Sequence, residues 1–367
     1  MVSTMTNWTK NAAAALNNLR LEHPRFTEAR KRLARALDMA MLGEVIVLCG
    51  PSRVGKTRCI GDVSTSVFGA RAFTGDQMPL VYVEVANESS GGMLTTKALT
   101  ADCLAAVRHP FYGGGELGTM SPEAFDSVIY RTPEATLKSA FERSLRARST
   151  HVLVFDEAQH LKYAHGGAQA AARILDSWKC LASKAQIKLV LVGAFELLDY
   201  IRLSPHLLGR LEVIAFDRYR LDETSDVRSW EQILLTLSGF LPFASTSTSL
   251  RDWNALLYEG SLGCVGLLLR WIRRALASLD PHRDKFITRE CLLATAPSKA
   301  TAAAIAEEIS RGETALQTWL SPPSQQREVP KPGPHKSKRK PFRRKSKRIP
   351  LGGRASHVST IPTAAER

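Results

Sequence analysis

Residues 45–57 read VIVLCGPSRVGKT, an apolar run followed at once by a loop framed by glycines. The run Val45–Cys49 is largely β-branched and lies between Gly43 and Gly50, a composition typical of a strand buried on both faces. Residues 50–57 fit the pattern GxxxxGK[ST] at every required position. In that pattern, backbone N–H groups cradle phosphates at the N-terminus of a helix. The stretch therefore predicts a strand, a phosphate-binding loop and a helix, in that order.

The loop predicts a site for ATP or GTP with magnesium. Lys56 is expected to bridge the terminal phosphates, and the hydroxyl of Thr57 is expected to bind Mg²⁺. The predicted nucleotide-binding residues are Gly50, Pro51, Ser52, Arg53, Val54, Gly55, Lys56, Thr57 and Arg58.

A second motif, VLVFDEAQH, occupies residues 152–160 and places two carboxylates directly after an apolar run. This is a Walker B pattern. Asp156 is expected to hold the Mg²⁺ shell beside the nucleotide, and Glu157 to orient and partly deprotonate the attacking water. The alternative is that one of the two carboxylates only caps the following helix.

The rest of the chain predicts an α/β fold with a parallel sheet. Further strands are expected at 80–85, 151–155, 188–192 and 213–216, with helices between them, including 26–42, 132–148 and 169–185. Beyond residue 222 only helical patterns follow, at 226–237, 249–259, 265–279 and 299–320. The predicted domains are an N-terminal helical segment (1–42), a nucleotide-binding domain (43–221), a helical lid (222–322) and a disordered basic tail (323–367).

Charge and cysteine usage narrow the class of protein. The net charge is +15, and residues 329–365 hold eleven Lys and Arg with no Asp or Glu, so +4 remains for the rest. The six cysteines form no CxxC pair, which favours reduced thiols and argues against a disulfide framework. No apolar stretch approaches the roughly 18 residues of a membrane span. We expect a soluble, intracellular protein that is not associated with a membrane.

Taken together, these motifs resemble those of the TnsC and TniB family of AAA+ ATPases, which regulate DNA transposition. The resemblance covers residues 26 to 320. It rests on these segments: GPSRVGKT at 50–57, RTPEATLKSAFE at 131–142, DEAQHL at 156–161, LVLVGAFE at 189–196, LGR at 208–210 and GSLGCVGLLLRW at 260–271.

The resemblance implies an AAA+ fold with a five-stranded sheet, a helical lid, and a ring or filament whose ATP sites lie between subunits. Arg210 then corresponds to an arginine finger that reaches the γ-phosphate of a neighbour. The alternative is an ordinary surface arginine. Arg270 is the nearest match to the lid's sensor arginine, with a solvated helix face as the alternative.

Two positions depart from the family pattern. Ala194 stands where relatives often carry a small or polar residue after the fourth strand, so a polar sensor is missing and hydrolysis is expected to be slow or to use another group. Arg53 stands where many relatives have glycine, a position that the motif does not constrain.

The resemblance also implies contact with the phosphate backbone of duplex DNA, without sequence preference. Thr96 and Lys97 lie near the start of the helix after the second strand, where the family grips DNA; a solvated helix start is the alternative. The basic tail offers either a second DNA contact, an arm for an acidic protein partner, or a solubilising extension. Its candidate DNA-binding residues are Lys338, Arg339, Lys340, Arg343, Arg344 and Lys345.

The function implied is that of an ATP-dependent regulator of transposition, assembled on target duplex DNA, that links a target selector to the transposase. The selector is either a DNA-binding protein or a CRISPR-guided complex. The resemblance also implies a bacterial cytoplasmic protein associated with the nucleoid. Three other classes stay open: a helicase-loader-like ATPase of the IstB kind, a secretion-linked AAA+ ATPase, and a nucleotide-switched scaffold with little hydrolysis.

Overall fold

The computed structural model describes residue 16 and residues 19–69, 76–86, 94–113, 122–164, 166–279 and 286–321. For residues 122–125 only the backbone is described. The candidate DNA contacts of the tail, at 338–345, lie outside the described residues. The described residues up to Leu320 belong to one compact unit. The domain boundaries at residues 42 and 221 therefore stay predictions.

Five parallel strands form the sheet, in the order β2-β3-β4-β1-β5. They are β1 Val45–Cys49, β2 Leu80–Glu84, β3 Val152–Asp156, β4 Lys188–Gly193 and β5 Leu211–Ala215. Every residue of β1 and β3 is buried, as their continuous apolar runs predict. Strand β5 lies at the edge and starts two residues before the predicted 213–216, because its partly exposed residues break the apolar pattern.

Helices cover both faces of this sheet. They are α1 Pro24–Met39, α2 Lys56–Phe68, α3 Thr96–Ala106, α4 Pro122–Arg131, α5 Glu134–Ala147, α6 Gly167–Ala185, α7 Leu197–Arg202 and α8 Pro205–Leu208, with a 3₁₀ helix at Ala158–Tyr163.

Strand β1 shows how the two layers are held. Val45 and Val47 pack into the apolar cluster beneath α5 and α6, whereas Ile46 and Leu48 pack into the cluster beneath α1 and α2. Successive side chains of a strand point to opposite faces, so each layer receives every second residue. The prediction of an α/β fold is confirmed.

The remaining helices are α9 Thr224–Ser238, α10 Asn254–Ser261, α11 Val265–Ser278, α12 Arg289–Ala294 and α13 Lys299–Leu320, with a 3₁₀ helix at Leu250–Trp253. Helices α9 to α12 share an apolar cluster that contains Trp230 and Trp271. The indole N–H of Trp271 donates to the Leu292 carbonyl (3.0 Å), so its polar atom is satisfied in the core. Helix α13 does not contribute to this cluster. Its Leu316 is buried among the residues beneath α5 and α6.

None of the described helices is by itself long and apolar enough to cross a membrane; only the bent pair Leu250–Ser261 and Val265–Ser278 reaches that length and composition, at 112° to each other.

Candidate nucleotide site

The GPSRVGKT loop connects the carboxyl end of β1 to α2, which begins at Lys56. Both of its glycines are required by the backbone. A Cβ at Gly50 would lie 2.3 Å from the Phe216 carbonyl oxygen, and Gly55 has a φ of +116°. The strand, loop and helix predicted from the sequence are therefore present, in the geometry of a phosphate-binding loop.

Arg53 has a left-handed backbone (φ +59°), which glycine adopts without strain. This gives a physical reason for a glycine at that position in resembling sequences. Its side chain is exposed, and its carbonyl accepts the N–H of Gly266 (3.1 Å) at the start of α11. A Cβ at Gly266 would lie 2.2 Å from that carbonyl oxygen. The first turn of α11 therefore rests directly on the loop.

Lys56 is 8% exposed, and its ammonium donates to the carbonyls of Gly50 (3.0 Å) and Pro51 (2.9 Å). Burial lowers the pKa of Lys56, although the negative charges of Glu157 and Asp156 act to raise it. Two backbone carbonyls stabilise a buried ammonium less well than an anion does. The side chain is thus placed to transfer its hydrogen bonds to phosphate oxygens.

Asp156 is the most tightly held carboxylate of the site, at 1% exposure. Its Oδ2 accepts the hydroxyls of Thr57 (2.7 Å) and Tyr82 (2.6 Å), and its Oδ1 accepts the backbone N–H of Glu157 (2.8 Å). Burial, and next the hydrogen bond to Asp156, raise the pKa of Tyr82, which keeps this hydroxyl protonated as a donor. Tyr82 was not predicted as a site residue.

Thr57 and Asp156 suit the magnesium that this motif implies. No cluster of three or more His, Cys, Asp or Glu that could hold a metal occurs within the described part of the chain. Mg²⁺ usually binds through one or two protein oxygens together with phosphates and waters, and not in an all-protein cage. A hydroxyl and a carboxylate already in contact beside the phosphate loop fit that mode of binding.

Glu157 has a left-handed backbone (φ +52°), uncommon for a residue with a side chain. It precedes the 3₁₀ helix Ala158–Tyr163 and makes no side-chain capping hydrogen bond to it. Instead, its Oε2 accepts a short hydrogen bond from the side-chain amide of Gln159. The interpretation of Glu157 as a simple helix cap is therefore not supported.

Gln159 also bonds to the end of β4, where its Oε1 accepts the backbone N–H of Ala194 (3.0 Å). A Cβ at Gly193 would lie 2.6 Å from the same oxygen. The glycine therefore leaves the space that this side chain occupies. Gln159 was not predicted as a site residue either.

Helix α13 covers one side of the site. Glu308 accepts the hydroxyl of Ser52 (3.2 Å), and Glu313 forms an ion pair with Arg218 (2.8 Å). A Cβ at Gly312 would lie 2.4 Å from the Phe195 ring, so glycine permits close packing here. A cavity of about 590 Å³ remains beneath the helix. Among its lining residues are Pro51, Ser52, Gln159, Phe195, Glu308 and Gly312.

Arg58 does not extend from the loop toward the phosphates. Its guanidinium stacks 4.7 Å from the centroid of the Phe26 ring and donates to the Leu21 carbonyl (3.3 Å). It therefore joins α2 to the N-terminal segment, and its predicted contact with nucleotide stays a prediction.

His23 lies at the same junction and caps α1. Its Nδ1 accepts the Phe26 N–H (3.2 Å) and lies 2.9 Å from the hydroxyl oxygen of Tyr219. Burial, and next the positive charge of Arg58, lower the pKa of His23 to about 4. The imidazole is therefore neutral at physiological pH, with Nδ1 free of a proton.

Arg210 is exposed and immediately precedes β5. Its carbonyl accepts the Val45 N–H (3.0 Å), which places it at the amino ends of β5 and β1. The phosphate loop follows the opposite end of β1, five residues away. At about 3.3 Å per residue, Arg210 lies roughly 16 Å along the strands from its own loop.

Arg270 lies on α11, is exposed, and shares a helix face with Gly266, four residues earlier. Since Gly266 contacts the loop at Arg53, Arg270 stands one helical turn above that contact. Its assignment as the lid's sensor stays a prediction.

Thr96 and Lys97 begin α3, as expected, but both are engaged within the chain. Thr96 donates to Glu134 (2.8 Å), and the Lys97 ammonium donates to the Tyr130 carbonyl (2.6 Å) and lies 5.7 Å from the centroid of the Tyr130 ring. Contact of these two residues with DNA stays a prediction.

Comparison with known proteins finds one family model and several solved structures that are similar to this chain. A family model described as an AAA domain matches residues 41–201. The ORC1 protein of Aeropyrum pernix, solved in complex with DNA, is similar at 16% identity and a TM-score of 0.51, over 84% of this chain and 72% of that one. A Walker-type ATPase of Pyrococcus abyssi is similar at 15% identity and a TM-score of 0.48, over 84% and 80%. No curated protein matches the sequence significantly.

The fold is that of an AAA+ P-loop NTPase, and residues 41–201 are the part of the chain that matches the AAA domain.

Proposed function

We propose that this AAA+ protein hydrolyses ATP at the site formed by the phosphate loop, Asp156 and Glu157, and regulates DNA transposition. One observation carries the hydrolytic part. Glu157 is held in a left-handed backbone conformation beside a buried Asp156, and it does not cap the helix that follows. Strained residues of this kind cluster at functional sites.

The chain's own groups have distinct tasks in this reaction. Lys56 neutralises the terminal phosphates, and Thr57 with Asp156 would hold Mg²⁺. When bound, Mg²⁺ supplies positive charge to the phosphate oxygens. Glu157 orients a water and accepts its proton as the water oxygen bonds to the γ-phosphorus. The bond from that phosphorus to the bridging oxygen breaks, and ADP and phosphate leave.

We further propose that each site is completed by a neighbouring subunit. Arg210 lies at the edge of the sheet remote from its own phosphate loop, and its side chain makes no hydrogen bond or ion pair with the residues that the structure describes. An exposed guanidinium in that position can serve a γ-phosphate in trans, as arginine fingers do. This supports assembly into a ring or filament.

The proposed link to transposition rests on the resemblance to TnsC and TniB proteins, whose motifs recur here in order. In that role the protein assembles with ATP on target duplex DNA, receives a target selector and recruits the transposase. The ORC1 structure with the same fold contains DNA. Thr96, Lys97 and the basic tail are the proposed contacts of this chain, which bind phosphates without a sequence code.

A nucleotide-switched scaffold is the second candidate. It is favoured by Ala194, which offers no polar side chain at the end of β4.

The test uses purified protein with random-sequence duplex DNA. We expect ATP to drive assembly on DNA, and Glu157→Gln to keep ATP binding while hydrolysis falls and DNA-bound oligomers accumulate, since an amide cannot accept the proton. Glu259→Gln, at an exposed residue of α10, is the matched control. Hydrolysis by Glu157→Gln at the parent rate would contradict the catalytic assignment.

A reconstituted transposition assay then tests the finer proposal. Target-directed insertion that needs this protein and ATP supports it. Insertion that proceeds equally without the protein contradicts it and favours a helicase-loader-like role.

A further inference from the structure

Gln159 joins the Walker B segment to the end of β4. Its side chain is half-buried, accepts the Ala194 N–H through Oε1 (3.0 Å) and donates to Glu157 Oε2 through the amide nitrogen. Gly193 leaves space for this oxygen, since a Cβ there would approach it to 2.6 Å. The side chain is thus bonded at both polar atoms.

The backbone fixes which way the amide points. The Ala194 N–H can only donate, so the oxygen of Gln159 must face it and the NH₂ group must face Glu157. The carboxylate of Glu157 therefore meets a donor. Its other oxygen, Oε1, has no hydrogen-bond partner among the described residues, and it is the atom left to accept a proton from water.

Ala194 occupies the position after β4 where resembling sequences often carry a small or polar residue, and it offers no polar side chain there. Gln159 brings a polar amide to the same backbone position from a different segment of the chain. We propose that Gln159 is the positioning residue that holds Glu157 for catalysis, in place of the missing polar side chain at residue 194. The inference rests on the proposed hydrolytic role of Glu157.

A fixed general base acts faster than one that samples several rotamers, because its proton-accepting oxygen stays within reach of the water. Gln159→Ala removes the donor and frees the carboxylate. We expect kcat to fall about tenfold to a hundredfold, the size of one hydrogen bond to a charged group. The dissociation constant for ATP should stay within about twofold, because Gln159 contacts no residue of the phosphate loop through a hydrogen bond.

Gln159→Glu separates positioning from packing. The introduced carboxyl keeps an oxygen for the Ala194 N–H, but when ionised it has no proton to donate and repels Glu157. We expect kcat to be low at about pH 8 and to recover in part toward about pH 6, as one proton becomes shared between the two carboxyls. Gln159→Ala should show no such recovery. Gln169→Ala, at an exposed residue of α6, is the matched control.

Steady-state hydrolysis, ATP affinity and thermal unfolding, measured on the full chain with duplex DNA, decide among the outcomes. A kcat of Gln159→Ala within twofold of the parent overturns the inference, and the proposed function stands if Glu157→Gln is inactive. Parallel loss of ATP affinity and thermal stability in both Gln159 variants, with no pH-dependent recovery, also overturns it in favour of a structural role. Normal hydrolysis by Glu157→Gln refutes the proposed function itself.

Discussion

We expect acid to destabilise this protein through the buried His23. The pKa of His23 is lowered from 6.5 to about 4 by burial, and next by the charge of Arg58. The unfolded chain therefore takes up a proton as pH falls through about 6.5, whereas the folded chain resists it until about pH 4. Stability from this group is complete above the first value and is progressively lost below it.

The expected size follows from linkage. Between about pH 7.5 and pH 5, the proton bound only by the unfolded state lowers the free energy of unfolding by about 2 kcal/mol. His23→Asn keeps a side-chain acceptor that can cap α1 but cannot titrate. At the higher pH the variant should be less stable than the parent, because the Tyr219 hydroxyl loses its partner at Nδ1.

Urea unfolding of the two proteins at both pH values measures the effect. The stability gap is the difference in free energy of unfolding between the parent and His23→Asn. On acidification it should change by about 2 kcal/mol in favour of the variant, because the variant has no imidazole at residue 23 to protonate. Subtracting one protein's free energy of unfolding from the other's cancels the contribution of the carboxylates that both proteins contain. His206→Asn, at an exposed histidine, is the control for the same chemical change. A gap equal at both pH values would refute the assignment of a buried, neutral His23.

Three further changes test the site and the tail. Lys56→Ala should weaken ATP binding by about a hundredfold or more in calorimetry, because it removes charged hydrogen bonds to the phosphates. An unchanged affinity for ATP would contradict the assignment of the phosphate loop. Glu308→Gln should strengthen ATP binding roughly threefold to tenfold, because it removes a carboxylate beside Ser52 that repels phosphate; Glu307→Gln is the control, and weaker binding by Glu308→Gln would contradict this reasoning. Removal of residues 329–367 should leave ATP affinity intact yet flatten the salt dependence of duplex binding, whereas an unchanged slope with lost transposition would make the tail a protein-docking arm.

The sheet and its two motifs could be predicted because their signals are local. The continuous apolar runs of β1 and β3 report burial on both faces, and the spacing of Gly50, Gly55 and Lys56 defines the loop. The start of edge strand β5 is harder to predict, because its partly exposed residues weaken the apolar pattern.

The site residues that were not predicted contact residues that are far away in the sequence. Tyr82 reaches Asp156 because β2 pairs with β3, 74 positions apart in that contact. A tyrosine inside an otherwise apolar strand was the available signal. Helix α13 was predicted, but nothing local in its sequence indicates that Glu308 meets Ser52, 256 positions away. Gln159 was visible within the Walker B motif, and only the position of Ala194 reveals its role.

In the proposed mechanism, ATP is hydrolysed at sites shared between subunits, with Glu157 and Arg210 supplied by different chains. Arg210→Ala and Glu157→Gln proteins should each be inactive alone while the isolated subunits still bind nucleotide. Mixed in equal amounts on duplex DNA, they should regain activity at about a quarter of interfaces, where a subunit with Glu157 faces a neighbour with Arg210. No recovery at any mixing ratio, with mixed assemblies confirmed, would contradict the claim.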